Sequence, residues 1–353
     1  MTYNEIFTYQ NLLKAHLDAR KCKRSKEDVI LFEQSLSFNL WFLYHKLQNR
    51  TYQISGYHKF MIYEPKKREI QALLYKDRVV QHALCDNYLY PLLTKRFIYT
   101  NCACQKFKGT DFALDTLTGY LTSFYKKHGK AGYILKADIH HYFPSINHEI
   151  LKSTISKPVD DPDILSLLYH IIDSFNGDTG LGIPMGNQTS QLFALYYLDP
   201  LDRLCKEKLG IKYYIRYMDD IIILYEDKER LKSVYAQMRD LTENSLKLEF
   251  NQKTQIFPIK NGVEFLGWHF YIGDTGKIYR KLKNQSKKRY KNRMKKLADD
   301  YSSGICTLEE VKRTFPGYNG HLSRGNTYQL QKSVLKNFVL KKQLTNNNSQ
   351  GED

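Results

Sequence analysis

The chain has 353 residues, 42% of them hydrophobic, which is enough to bury a sizeable core and excludes a disordered or fibrous class. Its 54 Lys and Arg against 37 Asp and Glu leave a net charge of +17, which draws a protein to polyanions and makes nucleic acid the first candidate partner. The longest apolar run, FNLWFLY at 38–44, is far short of the ~20 residues a membrane span needs, and no apolar signal segment is expected at the N-terminus. The six cysteines include no C-x-x-C pair, so a zinc ribbon is not expected, and free thiols in the cytoplasm are the preferred reading.

In chain order, residues 3–50 read as two helices separated by the basic run ARKCKRSKED. Tyr57, Lys59, Met61 and Tyr63 alternate as a strand, Glu64-Pro65 marks a turn, and a second strand follows. Helices are predicted over KDRVVQHALCDNYLYPLL and 110–128. GYILKADIHHYF is a short buried strand ending at Asp138, and Asn147 caps the helix after it. A helix over 163–175 leads to the Gly-rich loop 176–190, then to a helix that Pro200 is expected to kink. Ile211, Tyr213, Ile215 and Tyr217 form one strand and Ile221–Tyr225 the next, with Met218, Asp219 and Asp220 at the hairpin turn. A helix over 227–245 and short strands around LEFNQKTQIFPI and VEFLGWHFY come next. From Lys277 to Lys296 there are 11 Lys or Arg and no acid, read as a basic amphipathic helix with Tyr290, Met294 and Leu297 as its apolar stripe. A polar tail closes the sequence.

Two adjacent carboxylates inside the apolar stretch YYIRYMDDIIILY repel each other and cost desolvation. If the strand ending at Asp138 pairs beside that hairpin, Asp138, Asp219 and Asp220 meet at one sheet end. Such a cluster calls for a hard divalent cation whose remaining ligands are water and phosphate. A lone Asp-Asp is more often an ordinary turn, and spacing by itself leaves the two readings balanced.

An ordered series of blocks over roughly residues 20–270 resembles reverse transcriptases. YMDD with its flanking strands resembles their catalytic signature. YEPKKREIQALLYKDRVVQHAL and FIYTNCACQKFKGTDFAL resemble fingers blocks, and ILKADIHHYFPSINHEIL resembles the palm strand carrying the first catalytic Asp. GIPMGNQTSQLFALYYLDPLD resembles the loop and helix that hold template and nucleotide, and LKLEFNQKTQIF and VEFLGW resemble the last palm block and the primer grip. Met185-Gly186 with Ser190-Gln191, where most relatives read Gln-Gly and Ser-Pro, resembles the reverse transcriptases of diversity-generating retroelements. A retron-type or phage-defence enzyme is the alternative, and a catalytically idle palm serving as an RNA-binding scaffold is another. No RNase H, maturase-like or endonuclease segment is expected.

The resemblance implies an α+β right-hand polymerase fold. Its expected divisions are N-terminal helices and fingers at 1–129, a palm of antiparallel sheet plus helices at 130–275 with an insertion about 152–182, a small basic helical thumb at 276–344, and a disordered tail at 345–353. It implies a cytoplasmic RNA-directed DNA polymerase using two Mg²⁺ ions, with Mn²⁺ as an alternative. The carboxylates of Asp138, Asp219 and Asp220 and the carbonyl of Ile139 would bind them. Lys67 and Arg68 would clamp the incoming dNTP. Phe143 would be the steric gate under the sugar, and Met185, Gly186, Ser190 and Gln191 would shape the nucleotide site. Tyr217, Met218, Gly267, Trp268, Lys287, Lys288 and Arg289 would contact primer and template. Arg78 is read as a brace, and His140 and His141 as a surface or packing pair outside the metal site. The implied partners are a template RNA, the cDNA/RNA duplex and a small basic accessory protein, with no membrane.

Overall fold

The computed structural model describes residues 1–63, 67–175 and 178–341. The expected turn at Glu64-Pro65, the start of the Gly-rich loop at Asn176-Gly177 and the polar tail lie outside them. The chain divides into two compact units, Met1–Ala113 with Leu135–Ile256, and Leu114–Ile134 with the residues from Phe257 onward.

After a single helical turn at Tyr3–Ile6, the first unit continues with helices α1 (Tyr9–Ala19), α2 (Glu27–Gln34) and α3 (Leu36–Gln48). One expected helix is thus two, because Ser35 takes a non-helical conformation (φ −127°, ψ 43°) between α2 and α3. Strands β1 (Tyr57–Ile62) and β2 (Arg68–Leu73) form an antiparallel hairpin. Helix α4 (Tyr75–Leu84) follows and buries Val79, Val80, Ala83 and Leu84.

The helix expected over 110–128 is α5 (Thr110–His128). A four-stranded sheet has the order β4-β5-β3-β6, built from β3 (Tyr133–Asp138), β4 (Tyr213–Tyr217), β5 (Asp220–Tyr225) and β6 (Gln255–Pro258). Strand β5 therefore lies beside β3, the pairing that the acidic cluster requires. In β4 and β5 nearly every position is buried, so these strands read as continuous apolar runs covered on both faces.

Helix α6 (His148–Ile155) is capped by Asn147, whose side chain accepts from Ile150 N at 3.0 Å. Helix α7 (Pro162–Asp173) buries five aliphatic side chains. The stretch expected to kink at Pro200 is two helices, α8 (Gln188–Tyr197) and α9 (Asp199–Arg203). Pro200 sits in the first turn of α9, where its missing N–H leaves no hydrogen bond unmade. Helix α10 (Lys228–Asp240) packs after β5, capped by Asp227.

The second unit holds a three-stranded antiparallel sheet, β7 (Val263–Phe265), β8 (Trp268–Ile272) and β9 (Ile278–Leu282). Its helices are α5 from Leu114 onward, α11 (Asn284–Ser302), α12 (Leu308–Leu322) and α13 (Tyr328–Lys336). The basic run 277–296 is thus not one helix. Its first part is β9, where Ile278 and Leu282 pair with Ile272 and Trp268 and Tyr279 stacks on Tyr271 at 5.1 Å. Helix α11 buries Tyr290 and Met294 of the stripe expected of it, and Leu297, the third, is half-buried.

Gly262 closes the turn into β7 at φ 72°, and a Cβ there would collide with the Phe270 carbonyl and stand 2.8 Å from His269 Nε2. The backbone sign and the collision act together, so Gly262→Ala is expected to cost about 3 kcal/mol and lower the melting temperature. An unchanged melt would mean that the β7–β8 edge gives way freely. Among the described residues, no helix is long and apolar enough to cross a membrane.

Candidate active site

Strand β3 delivers Asp138 to the sheet end, and the β4–β5 hairpin delivers Asp219. Tyr217 and Asp220 are the last paired residues, so Met218 and Asp219 form a two-residue turn. Met218 adopts φ 55°, the left-handed conformation such tight hairpins require and a bulky residue accepts only at a cost. Past Asp138 the chain is pinned by Asn251 N donating to Asp138 O at 2.7 Å and His140 N donating to Glu249 O at 2.8 Å.

Asp138 and Asp219 stand close enough for each carboxylate to feel the other's charge. Burial first, then the Asp138 charge, pushes Asp219 up to about 6, while its own backbone N–H and the Arg68 guanidinium pull it down. The sign of the linkage follows. The folded state holds the Asp219 proton more tightly than the unfolded chain does. Stability is therefore lost as pH rises from the ordinary carboxylate range through about 6. With a chelator present, Asp219→Asn is expected to raise the melting temperature at pH 7, through a gain on the order of 2 kcal/mol. The gain should vanish below about pH 4, where both states are protonated. Equal melts at pH 7 would contradict the repulsion.

The two acids line a cavity of about 530 Å³ together with Lys67, Arg68, Ile139, His140, His141, Phe143, Met185 and Asn251, among others. Residues from the β1–β2 hairpin, the β3 end, the Gly-rich loop and the β4–β5 turn converge there. His140 and His141, read as a surface or packing pair, are exposed on its wall, with their rings 4.2 Å apart. Asn251 carried no signal in the sequence beyond its place in a short polar turn.

Other expected site residues are not in the lining of this cavity. Asp220 is the first residue of β5, and its carboxylate is 3.9 Å from Lys136 Nζ. Gly186 and Gln191 line a separate polar cavity with Arg78, His82 and Gln188. Ser190 is buried. Arg78 Nε donates to Leu73 O at 2.8 Å and so ties α4 to the end of β2. The Tyr217 hydroxyl is 3.5 Å from that of Thr110.

In the second unit, Leu266 and Gly267 form the β7–β8 turn, both at positive φ. Trp268 is fully buried, its ring 5.6 Å from that of His321. On α11, Lys288 is exposed, and Lys287 and Arg289 are half-buried.

Among the described residues, no three His, Cys, Asp or Glu side chains are gathered so as to hold a metal unaided. Two carboxylates facing one cavity, Asp138 and Asp219, nevertheless fit a hard cation that takes its remaining oxygens from water and phosphate. The neighbouring Lys67 and Arg68 suit such a phosphate.

The chain is 23% identical to Protein YkfC of Escherichia coli (strain K12) in a 249-residue alignment covering 58% of this chain and 65% of that protein. Telomerase from Candida albicans, solved with a TWJ fragment of telomeric RNA, superposes with a TM-score of 0.51 at 14% identity, covering 81% of this chain and 55% of that one. Apo telomerase from Candida tropicalis gives 0.50 at 14% identity, covering 72% and 52%. The chain thus spans less than two thirds of each of these relatives. At such identity the structural likeness concerns the fold alone, which is the α+β right-hand polymerase fold. The family model described as reverse transcriptase (RNA-dependent DNA polymerase) matches residues 63–270. That match runs from the end of β1 into β8, over more than half of the chain, and this protein belongs to the reverse transcriptase family.

Proposed function

We propose that the chain is an RNA-directed DNA polymerase that copies a template RNA into cDNA. The observation that carries this reading is the placement of Asp138 and Asp219 together in a cavity that also presents Arg68, Phe143 and Met185. In this reading Asp138, the Ile139 carbonyl, Asp219 and Asp220 hold two Mg²⁺ ions, with Mn²⁺ as a substitute. Bound there, the metal supplies an activated primer hydroxyl and neutralises charge on the transferring phosphoryl group.

The chain's own residues do the rest. Arg68, a planar fork, and Lys67, a point charge, take the triphosphate of the dNTP. Phe143 packs under its sugar. Gly186, Ser190 and Gln191 support the loop beneath the base, and Tyr217 and Met218 back the primer end. Gly267 and Trp268 stiffen the primer-grip hairpin. Lys287, Lys288 and Arg289 follow the duplex backbone, a contact expected to weaken steeply with salt. The fingers, palm and thumb correspond to 1–129, 130–275 and 276–344. Extension of a primer on a defined RNA by the four dNTPs, dependent on Mg²⁺ and stopped by chelator, tests this reading. Binding of RNA with no extension would leave an RNA-binding scaffold.

The finer assignment is to a diversity-generating retroelement, working with a small basic accessory protein. Met185 supports it. A Gln at this position has an amide that can fix the nascent base pair; a thioether adapts its shape and donates nothing. Losing ~1–3 kcal/mol of discrimination raises errors roughly 10- to 200-fold. The errors are expected opposite template adenine, and Met185→Gln is expected to suppress them. Sequencing cDNA from both proteins decides this. Low, uniform error in the wild type would leave a retron-type or defence enzyme.

A further inference from the structure

Strand β4 is apolar except for one charge. Arg216 is fully buried, and so is Asp202 of α9, which it faces. The guanidinium engages the carboxylate with two nitrogens, Nε at 2.7 Å and Nη2 on the other oxygen. The Tyr214 hydroxyl donates to the same carboxylate at 2.6 Å. Two further donations go to backbone carbonyls: Nη2 to Leu195 O on α8 at 3.1 Å, and Nη1 to Met218 O at 3.0 Å. The main chain of Arg216 is held as well, its N–H bonded to Thr100 O at 3.0 Å and its C=O to Cys102 N at 2.9 Å.

A buried ion pair is a weak device for stability, since apolar residues of similar volume commonly do as well or better. What the pair does here is orient a fork. One side of the guanidinium is locked onto α9, and the remaining donors reach the helix that follows Met185-Gly186 and the turn that carries Asp219. That turn needs holding. Met218 sits at φ 55°, a conformation a bulky side chain leaves when its neighbours allow.

We propose that Arg216 is a positioning residue: through the Met218 carbonyl it holds the Met218–Asp219 turn against α8 and α9, and so sets Asp219 against Asp138. The proposal rests on the polymerase reading of that site. Arg216 touches no reacting group and acts only through the turn.

Arg216→Lys keeps a charge beside Asp202 but cannot reach all three elements with one ammonium. Single-turnover nucleotide incorporation is expected to slow by roughly 10- to 100-fold, with the dNTP and template–primer dissociation constants changed less than about threefold. The triple variant Arg216→Met, Asp202→Leu, Tyr214→Phe removes the buried charges and the hydroxyl together, leaving only the Leu195 and Met218 carbonyls without this donor. It is expected to melt near the wild type and to remain slow. It also decides the matter if the Lys variant does not fold.

Amide hydrogen exchange of the metal-free proteins gives a readout independent of activity. The segment 217–220 should exchange at least about tenfold faster in either variant, and 222–224 should be unchanged. If the wild type incorporates nothing, the polymerase reading fails, and exchange alone decides the role of Arg216. A variant with a wild-type rate, or turn exchange that is unchanged or raised equally across β5, overturns the proposal.

Discussion

Replacing Asp138 or Asp219 with Asn is expected to slow nucleotide incorporation by about 10³-fold or more, with template–primer binding within about threefold of the wild type. The two carboxylates share one cavity wall, and in the polymerase reading they act on the same metal charge. An Asn keeps the volume and a hydrogen bond but removes the negative charge that a divalent ion needs. Nucleic-acid affinity has another source in this reading, the basic side chains such as those of α11. Effects of residues that act as a unit do not add, so the double variant should be little slower than either single one. Quench-flow incorporation paired with a binding titration checks both halves. An Asn variant with a near-wild-type rate would remove that acid from the chemistry. An equal loss of binding and rate would point to general damage.

Phe143→Ala is expected to lower the preference for dNTP over rNTP by about 10²-fold, mainly through faster ribonucleotide incorporation. Phe143 is half-buried on the same cavity wall as Asp138, in the short helical turn Tyr142–Ser145. That turn is anchored by the Tyr142 hydroxyl, which donates to Ala194 O in α8 at 2.5 Å. A ring held this way can exclude a 2′-hydroxyl by volume alone, and its removal opens the space without altering charge. The ratio of kcat/KM for matched dNTP and rNTP is the measurement. An unchanged ratio, with both substrates slowed alike, would make Phe143 a packing residue at a strand–helix junction.

Much of this site is legible in the residue order, because local signals there agree with the fold. Alternating Tyr213, Ile215 and Tyr217, a two-residue turn and the apolar run from Ile221 leave few alternatives to the β4–β5 hairpin. The meeting of Asp138 with Asp219 depends on β5 lying beside β3, a non-local pairing that no local pattern encodes. It was reachable only as a condition, or through resemblance. Strand β9 was hidden by charge. Lys277, Arg280, Lys281 and Lys283 read as the start of a basic helix, while Ile278 and Leu282 on one strand face are too few to outweigh them. Ser35 divides two helices with no Gly or Pro to announce it. The partner of Arg216 could not be read from the sequence. A lone charge in a buried strand signals that a partner exists, but Asp202 is supplied by a helix 14 residues earlier in the chain.

The most direct measurement of the central claim is single-nucleotide addition to a primer paired with RNA, run with each of the four dNTPs against each template base in the presence of Mg²⁺. The expected result is addition dictated by the RNA base at U, G and C, relaxed at A, and lost in Asp219→Asn. Addition of the same nucleotide whatever the template base, or addition that survives in Asp219→Asn, would contradict templated synthesis at the Asp138–Asp219 pair.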